Sequence, residues 1–454
     1  TVAGFMMFAV TALIFAMSIV NATMTLSVVG IVGAFVTPAL VGSSSGYNIL
    51  FYLVIINLGV LAISNFKKWP QLNALAFAGT MINFLSWLML IYKDEYLAIT
   101  LTFVIVTFIT FIFATILRGL KVGEKVESTD YFVLGANALF VGYTLVALLD
   151  KDYHWILGFV FALIALVYMA VAYMINKADP TDKKINIFLP GLAVVFLSSA
   201  VPLQFDGAWV AVAWLIEAAA LYYIASLISN RGFQVMGLIV YILGGLNMFI
   251  QLSDWYYVQV YIPIINKDFG IILLAVIVAY FISCMYKRYG SITVDIQKRG
   301  ITAFIIVANV LSLYGLSLEI DRYYSTQNIQ LSNQAAKEIS DCTKYQIGDN
   351  SNCYNRDNGY YAKQNSLKNT SNTLTSILWT LYAAILTALG FGRRIVGLRR
   401  MGLVLFVITA IKVLLDVWSL GQLYRIVSFI VFGLIALIAS FAYAKYKDRL
   451  KEIV

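Results

Sequence analysis

The chain has 454 residues, of which 61% are hydrophobic and 12% are charged, and its mean hydropathy is +0.84. Soluble domains carry roughly a quarter charged residues, and apolar runs of this length exclude a disordered chain. The net charge of +9 is spread over short segments between apolar runs, which argues against nucleic-acid binding and is typical of membrane topology signals. The single histidine, His154, argues against a histidine metal site or a Ser-His-Asp triad, and no phosphate-binding Gly-rich motif occurs. We therefore predict no metal, no other cofactor and no nucleic-acid partner.

Apolar segments long enough to cross a membrane recur along the whole chain. A spanning helix needs about 20 apolar residues. Segments of this kind predict spans at 3–20, 22–41, 47–64, 71–92, 96–117, 131–149, 153–175, 185–203, 208–229, 232–251, 269–286, 300–319, 373–391, 401–418 and 424–444. We therefore expect an all-α fold, a polytopic transmembrane helical bundle of about fifteen spans.

The distribution of Lys and Arg predicts the orientation. If the spans alternate in direction, most of the 32 Lys and Arg residues lie in the loops of one side. Positive residues mark cytoplasmic loops, so we expect a cytoplasmic C-terminus and an exterior residue 1. The chain then consists of transmembrane helices at 1–319, an exterior polar loop at 320–371, and transmembrane helices at 372–454.

Two cysteines, Cys342 and Cys353, lie in the predicted exterior loop. Disulfides form outside the cytoplasm, so we expect a Cys342–Cys353 disulfide, and two free thiols are the alternative. The third cysteine, Cys284, lies in a predicted span, where we expect it to pack as a small apolar side chain.

One segment of the chain recurs at an offset of 165 residues, which relates the regions 206–250 and 371–415. The stretch that begins at Trp214 aligns with the stretch at Trp379, and Met236–Leu238 aligns with Met401–Leu403. Both copies run in the same direction in the predicted topology, so they would form a parallel internal repeat of the kind seen in some transporters. The alternative is two similar helical hairpins without symmetric function.

The same regions resemble a known family. The stretches that carry the resemblance are Gly33–Gly42, Phe205–Trp209, Trp214–Leu221, Trp379–Ala384, Gly390–Arg394, Lys412–Asp416 and Leu423–Phe429. They are similar to a bacterial family of multispanning membrane proteins, the domain of unknown function numbered twenty-three thirty-nine, although Ala34 stands where that family usually has Gly. The resemblance covers nearly the whole chain and implies a bacterial inner (cytoplasmic) membrane protein, but it implies no activity. Members usually carry further N-terminal spans, so we expect the sequence to begin within a longer chain.

Five ionisable residues fall within predicted spans or at their edges: Glu217, Glu319, Lys412, Asp416 and Arg425. Such residues cost about 2.5–3.5 kcal/mol on insertion and mark functional sites by default. Glu217 and Lys412 both lie near the middle of their spans, so we expect them to pair across two helices. That pair would be a structural clasp or part of a working site.

The remaining charges lie near the predicted exterior face. Asp416 and Arg425 flank a short turn, so an ion pair would close the hairpin; alternatively, Arg425 would hold a phosphate or carboxylate in a pocket with Glu319 nearby. Asp206 follows Pro202 at an exterior turn and would line the rim of that pocket or cap the helix that begins at Gly207.

Three functions remain open from the sequence. The first is a carrier or flippase-like protein for an anionic or lipid-linked envelope component, whose partners include membrane lipids. The second is a scaffold subunit that binds other membrane or periplasmic proteins through the exterior loop. The third is a membrane-embedded envelope transferase with Asp206 or Glu319 as its base. The absence of a catalytic signature favours a protein that is not an enzyme.

Overall fold

A computed structural model describes residues 23–41, 46–67, 69–119, 126–253, 261–288, 294–345, 350–392 and 396–419, together with isolated positions before and after them. In these ranges every regular element is a helix. The α-helices are α1 Met24–Val41, α2 Asn48–Lys67, α3 Pro70–Leu90, α4 Leu97–Gly119, α5 Ser128–Ala178, α6 Ile185–Gln204, α7 Ala208–Ile228, α8 Arg231–Ser253, α9 Lys267–Arg288, α10 Val294–Tyr345, α11 Asn350–Gly392 and α12 Val396–Ser419. The predicted all-α fold is confirmed.

Nine helices in the described ranges are long and apolar enough to cross a membrane, and Met24–Leu40 and Asn48–Ser64 are shorter apolar helices. The predicted spans 3–20 and 424–444 lie outside those ranges. The described helices therefore support a multispanning protein without establishing a total of about fifteen spans.

The helix α5 contains two of the predicted spans in one run of 51 residues. Its backbone leaves helical geometry at Tyr153, where φ is −131° and ψ is 29°. A Cβ atom at Gly142 would lie 3.7 Å from the ring of Phe161, although a straight helix would hold these residues about 28 Å apart. The chain therefore folds back at Tyr153, and the two halves of α5 correspond to the predicted spans at 131–149 and 153–175.

The chain divides into two compact units, residues 1–206 and residues 207–454. The first unit contains α1–α6, and aromatic side chains fill its core. The ring of Phe84 stacks on Phe103 at a centroid distance of 5.2 Å and meets Phe140 edge-on at 5.3 Å. Such contacts hold helices together where the bilayer offers no hydrophobic driving force.

The second unit contains α7–α12. In it, α7 packs on α8 and α9, α9 on α10, α10 on α11, and α11 on α12. Small residues allow two of these contacts to be close. A Cβ atom at Gly237 would lie 2.9 Å from the ring of Tyr222, and one at Gly402 would lie 2.2 Å from Thr387 Oγ1. Both glycines therefore let neighbouring backbones approach, as is common between membrane helices.

The segment predicted as an exterior polar loop, 320–371, is helical at its described residues, 320–345 and 350–371. The helix α10 continues through it to Tyr345, and α11 begins at Asn350. The segment contains no proline, α10 packs on α11, and Leu331 and Ala335 within the segment are buried. We call residues 320–345 and 350–371 the helical arms; each extends for roughly 35 Å at 1.5 Å per residue. The domain limits and the exterior location of this segment remain predictions.

Candidate functional site

A groove of about 600 Å³ opens between α10, α11 and α12 in the second unit. Its walls are mostly apolar, and the residues that line it are Thr302, Ile306, Asn309, Val310, Leu313, Tyr382, Leu386, Gly397, Arg400, Met401, Val404, Leu405 and Ile408. A groove of this size and polarity suits an apolar ligand with a small number of polar groups.

Polar side chains interrupt the apolar wall at two places. The exposed Arg400 lies in the first turns of α12, at the end of the groove marked by Thr302 and Gly397. Deeper in the groove, the hydroxyl of Tyr382 donates to Asn309 Oδ1 at 3.0 Å, and Asn309 Nδ2 donates to the carbonyl of Ile305 at 2.7 Å. The groove therefore has a cationic end and a polar pair within it.

Polar contacts continue past the groove, one turn beyond Leu313 and Ile408. The indole N–H of Trp379 donates to Ser317 Oγ at 2.8 Å and joins α11 to α10. The ammonium of Lys412 donates to Ser376 Oγ at 3.0 Å and lies 6.0 Å from the centre of the Trp379 ring, so it has a cation–π contact as well as a hydroxyl partner. A second cation thus lies on α12 beyond the inner end of the groove.

Glu319 lies at the base of the helical arm and is buried. The Tyr261 hydroxyl donates to its Oε1 at 2.7 Å, the Asn266 amide to Oε1 at 2.9 Å, and the Ile264 backbone N–H to Oε2 at 2.6 Å. Ile264 has a φ of 68°, a strained value for a β-branched residue, and its bond to Glu319 holds it there. The carboxylate therefore fastens the connection between α8 and α9 to α10, an arrangement that does not favour a role as base.

The phenol of Tyr261 lies in this connection. Burial raises the pKa of Tyr261 above its ordinary value of 10.0, and the hydrogen bond to Glu319 raises it further. Tyr261 is therefore a hydrogen-bond donor at neutral pH. Asn266 completes the cluster, because its Oδ1 accepts from the N–H of Phe269 in the first turn of α9 at 2.8 Å.

Arg322, one turn beyond Glu319, is a residue that the sequence did not single out. It is 1% exposed, its Nη1 donates to Asp268 Oδ2, and its Nη2 donates to the carbonyl of Leu252 at 2.8 Å. A buried guanidinium with a carboxylate and a carbonyl as acceptors is a satisfied charge. The spacing of three residues from Glu319 on one helix was the signal that could have indicated it.

The comparisons with known proteins agree with this architecture. The family described as "Predicted membrane protein (DUF2339)" matches residues 1–243 and 225–446. The chain belongs to this family. It is a multispanning membrane protein, and the predicted resemblance is confirmed. No curated protein and no solved structure matches it.

In this DUF2339 chain, Asp206 is exposed and ends the first unit. The following Gly207 is the N-cap residue of α7, and no side chain caps that helix end. The predicted capping role of Asp206 is therefore wrong. Gly207 has a φ of 58° and a ψ of −128°, which is a conformation that glycine adopts readily, so the turn requires Gly after Asp206.

Glu217 and Lys412 lie on helices with different neighbours. Glu217 is half-buried on α7, which packs on α8 and α9, whereas Lys412 lies on α12, which packs on α11 and α10. Their ion pair remains a prediction.

The other predicted site residues are described only in part. The backbone of Asp416 lies on α12, one turn beyond Lys412, and those of Cys342 and Cys353 lie on α10 and α11. Their side chains, and all of Arg425, lie outside the described residues, so the predicted bridge and disulfide remain predictions. Within the described ranges, no group of three or more His, Cys, Asp or Glu residues is placed to hold a metal ion.

Proposed function

We propose that this DUF2339 protein is a carrier for an anionic, lipid-like component of the bacterial envelope, and that it binds this component along α10–α12. The main support for this proposal is the apolar groove, which has Arg400 at one end and Lys412 beyond the other. The two cations lie 12 residues apart on α12, or about 18 Å along its axis. A guanidinium holds phosphate or carboxylate by paired hydrogen bonds, and an ammonium attracts it as a point charge.

The walls of the groove suit the apolar part of such a ligand. An acyl or isoprenoid chain would contact Ile306, Val310 and Val404 when its anionic group lies at Arg400. Between the two cations, the hydroxyl of Tyr382 and the indole of Trp379 offer polar contacts along the same helix interface. This order of groups supports movement of a charged headgroup in steps from Arg400 toward Lys412.

The location of Lys412 supports a working role. In the topology that we propose, α12 crosses the membrane, where a lysine costs about 2.5–3.5 kcal/mol on insertion and often marks a substrate pathway. Its hydrogen bond to Ser376 and its contact with Trp379 hold the ammonium against α11, beyond the inner end of the groove.

The topology that we propose has about fifteen spans in the inner membrane of a bacterium, with the C-terminus in the cytoplasm. The excess of Lys and Arg on one side supports this orientation. In it, Arg400 lies at the cytoplasmic face and the helical arms extend outside. The ligand would then enter from the cytoplasmic leaflet.

We also propose that the second unit contains a parallel internal repeat. Two glycine contacts support it. Gly237 on α8 lies against Tyr222 on α7, and Gly402 on α12 lies against Thr387 on α11. Gly402 follows Gly237 by 165 residues, and Thr387 follows Tyr222 by the same number. This number is the offset of the sequence repeat. The same packing position thus recurs in the two helical hairpins.

Native mass spectrometry of the protein, extracted gently from its own membrane, tests the carrier. We expect a stoichiometric anionic lipid or glycolipid on the wild type, reduced at least roughly tenfold in Arg400→Ala and in Lys412→Met, because each loses a charge contact of about 1.5–3 kcal/mol. Arg231→Ala is the matched control, since Arg231 is an exposed arginine at the start of α8. Equal lipid retention in all three variants would contradict the carrier.

A scaffold subunit is the second candidate, and the helical arms favour it. Arms of about 35 Å that leave the membrane helices offer a surface for another protein. The test is co-purification from native membranes with and without residues 325–367. Loss of a stoichiometric protein partner on deletion supports the scaffold, whereas an unchanged set of co-purified proteins argues against it.

A further inference from the structure

Four polar side chains lie buried in the first unit, near the middle of α2, of α3, of α4 and of the part of α5 before Tyr153. They are Asn57 on α2, Thr80 on α3, Thr107 on α4 and Asn137 on α5, and their exposed fractions are 3%, 0%, 1% and 0%. Apolar side chains dominate the interior of a membrane helix bundle, so four buried polar groups at comparable depth need a physical explanation.

Two aromatic contacts define the level of Thr80 and Thr107. The ring of Phe77 lies 5.0 Å from that of Phe111, and the ring of Phe84 lies 5.2 Å from that of Phe103. As the contact moves forward along α3 from Phe77 to Phe84, it moves backward along α4 from Phe111 to Phe103. The two helices therefore run antiparallel.

The two threonines lie between these aromatic pairs, each near the middle of its helix segment. Thr80 on α3 and Thr107 on α4 therefore lie at the same level. The hydroxyl of Thr80 is within 2.9 Å of Asn57 Oδ1, and Asn137 Nδ2 donates to the carbonyl of Phe108 at 3.2 Å. Asn57 and Asn137 thus join the same level from α2 and α5.

Three atoms of this group lack a hydrogen-bond partner among the described residues: Asn57 Nδ2, Thr107 Oγ1 and Asn137 Oδ1. Each buried, unsatisfied polar atom is destabilising, and here an amide donor, a hydroxyl and an amide acceptor are brought to one level of the helix bundle. Thr80 also donates to the carbonyl of Ala76 at 2.7 Å, so its one hydroxyl hydrogen does not serve both acceptors. Either orientation of the Asn57 amide therefore leaves one of its polar atoms open.

We propose that Asn57, Thr107 and Asn137 form a binding site for a buried water molecule in the first unit, a site independent of the proposed carrier function. One water accepts a hydrogen bond from Asn57, donates to Asn137 Oδ1 and exchanges a hydrogen bond with Thr107. Buried waters typically make about three hydrogen bonds to groups that lack other partners, which is the number available here. An anion would face the acceptor oxygen of Asn137, and a cation would face the amide hydrogens of Asn57, so a neutral ligand with both donor and acceptor groups fits best.

Thermal unfolding of the purified protein in detergent tests the site. A water-bound Thr107 hydroxyl is satisfied, so Thr107→Val should lower Tm by about 2–4 °C. An empty site would reverse this sign, because valine would replace an unsatisfied hydroxyl. The matched control is Thr110→Val on the same helix, whose hydroxyl donates to the Val106 carbonyl at 2.7 Å. It should change Tm by less than Thr107→Val.

A double-mutant cycle then tests whether one ligand bridges the two helices. If a water joins Thr107 to Asn137, the variant with both Thr107→Val and Asn137→Leu should be less destabilised than the sum of the two single variants. Additive effects would overturn the bridge, as would a rise in Tm for Thr107→Val.

X-ray hydroxyl-radical labelling of the wild type provides an independent readout that does not depend on a folded variant. Radiolysis of a bound water should oxidise Phe108, whose carbonyl accepts from Asn137 and whose side chain is only 6% exposed. We expect this oxidation to fall at least roughly threefold in the double variant. Absence of labelling at Phe108 in the wild type, or a Tm that responds to exchange of Na⁺ for K⁺ at constant ionic strength, would overturn the assignment of a water.

Discussion

The guanidinium of Arg322 donates to the carboxylate of Asp268 and so joins α10, at the base of the helical arm, to the first turn of α9. The same guanidinium reaches the carbonyl of Leu252 near the end of α8. Three helices of the second unit thus meet at one buried charge. Glu319, one turn earlier on α10, binds the connection between α8 and α9 at the same level.

Replacement of Arg322 should test this junction most severely. Arg322→Met leaves the carboxylate of Asp268 buried without its cation, and breaking a buried pair in this way costs about 3–5 kcal/mol. We expect a large fall in Tm in detergent, which the additional change Asp268→Leu should partly reverse. Lys337→Met is the control, because Lys337 is exposed on the same helix. Equal Tm values for Arg322→Met and Lys337→Met would contradict the junction.

Glu319→Gln should destabilise the connection between α8 and α9. The glutamine amide would present N–H donors where Tyr261, Asn266 and Ile264 now donate to a carboxylate, so at least one buried donor would lose its acceptor. We expect a loss of about 1–3 kcal/mol, measured by thermal unfolding, and faster proteolysis of the 261–266 connection. Glu338→Gln, at an exposed position of the same helix, should leave both unchanged. If Glu319→Gln changes neither the thermal stability nor the rate of proteolysis, the carboxylate does not hold this connection in place.

Gly402→Ala should separate α11 from α12. The new methyl group would lie 2.2 Å from Thr387 Oγ1 and 2.8 Å from the Thr387 backbone nitrogen, so the helices must move apart. We expect a destabilisation of about 1–3 kcal/mol and weaker lipid retention, because the groove lies along α12. Gly245→Ala is the control, since nothing lies within 4 Å of the added atom. If both changes have the same effect on Tm, the close approach at Gly402 is not required.

The raised pKa of Tyr261 predicts a loss of stability at high pH. Its folded pKa lies above the ordinary value of 10.0, so its contribution is fully present below pH 10 and is lost as the pH rises through the folded pKa. The difference in Tm between the wild type and Tyr261→Phe should therefore shrink above pH 10. A difference that stays constant up to pH 12 would contradict the burial of a neutral phenol.

The helices of the membrane region could be predicted closely from local sequence. The predicted spans 185–203, 208–229 and 232–251 correspond to α6 Ile185–Gln204, α7 Ala208–Ile228 and α8 Arg231–Ser253. A bilayer requires about 20 apolar residues with internally satisfied backbone groups, and a single chain segment meets that requirement without help from distant residues.

The helical arms show where local sequence was insufficient. The region 320–371 is polar, which indicated a loop, yet its described residues are helical and Leu331 and Ala335 are buried. Hydropathy does not distinguish a polar helix with a packed partner from a loop. The partner, which only the tertiary structure supplies, decides between them.

The amino-acid sequence by itself determined that this is an all-α, multispanning membrane protein of the DUF2339 family, because span length and hydropathy are properties of each segment. It also indicated Glu319 and Lys412 as costly charges. Only the tertiary structure decided their partners, which include Tyr261 and Asn266 for Glu319 and Ser376 for Lys412. Hydrogen bonds require atoms within about 3 Å, and which helices bring side chains that close depends on how those helices pack.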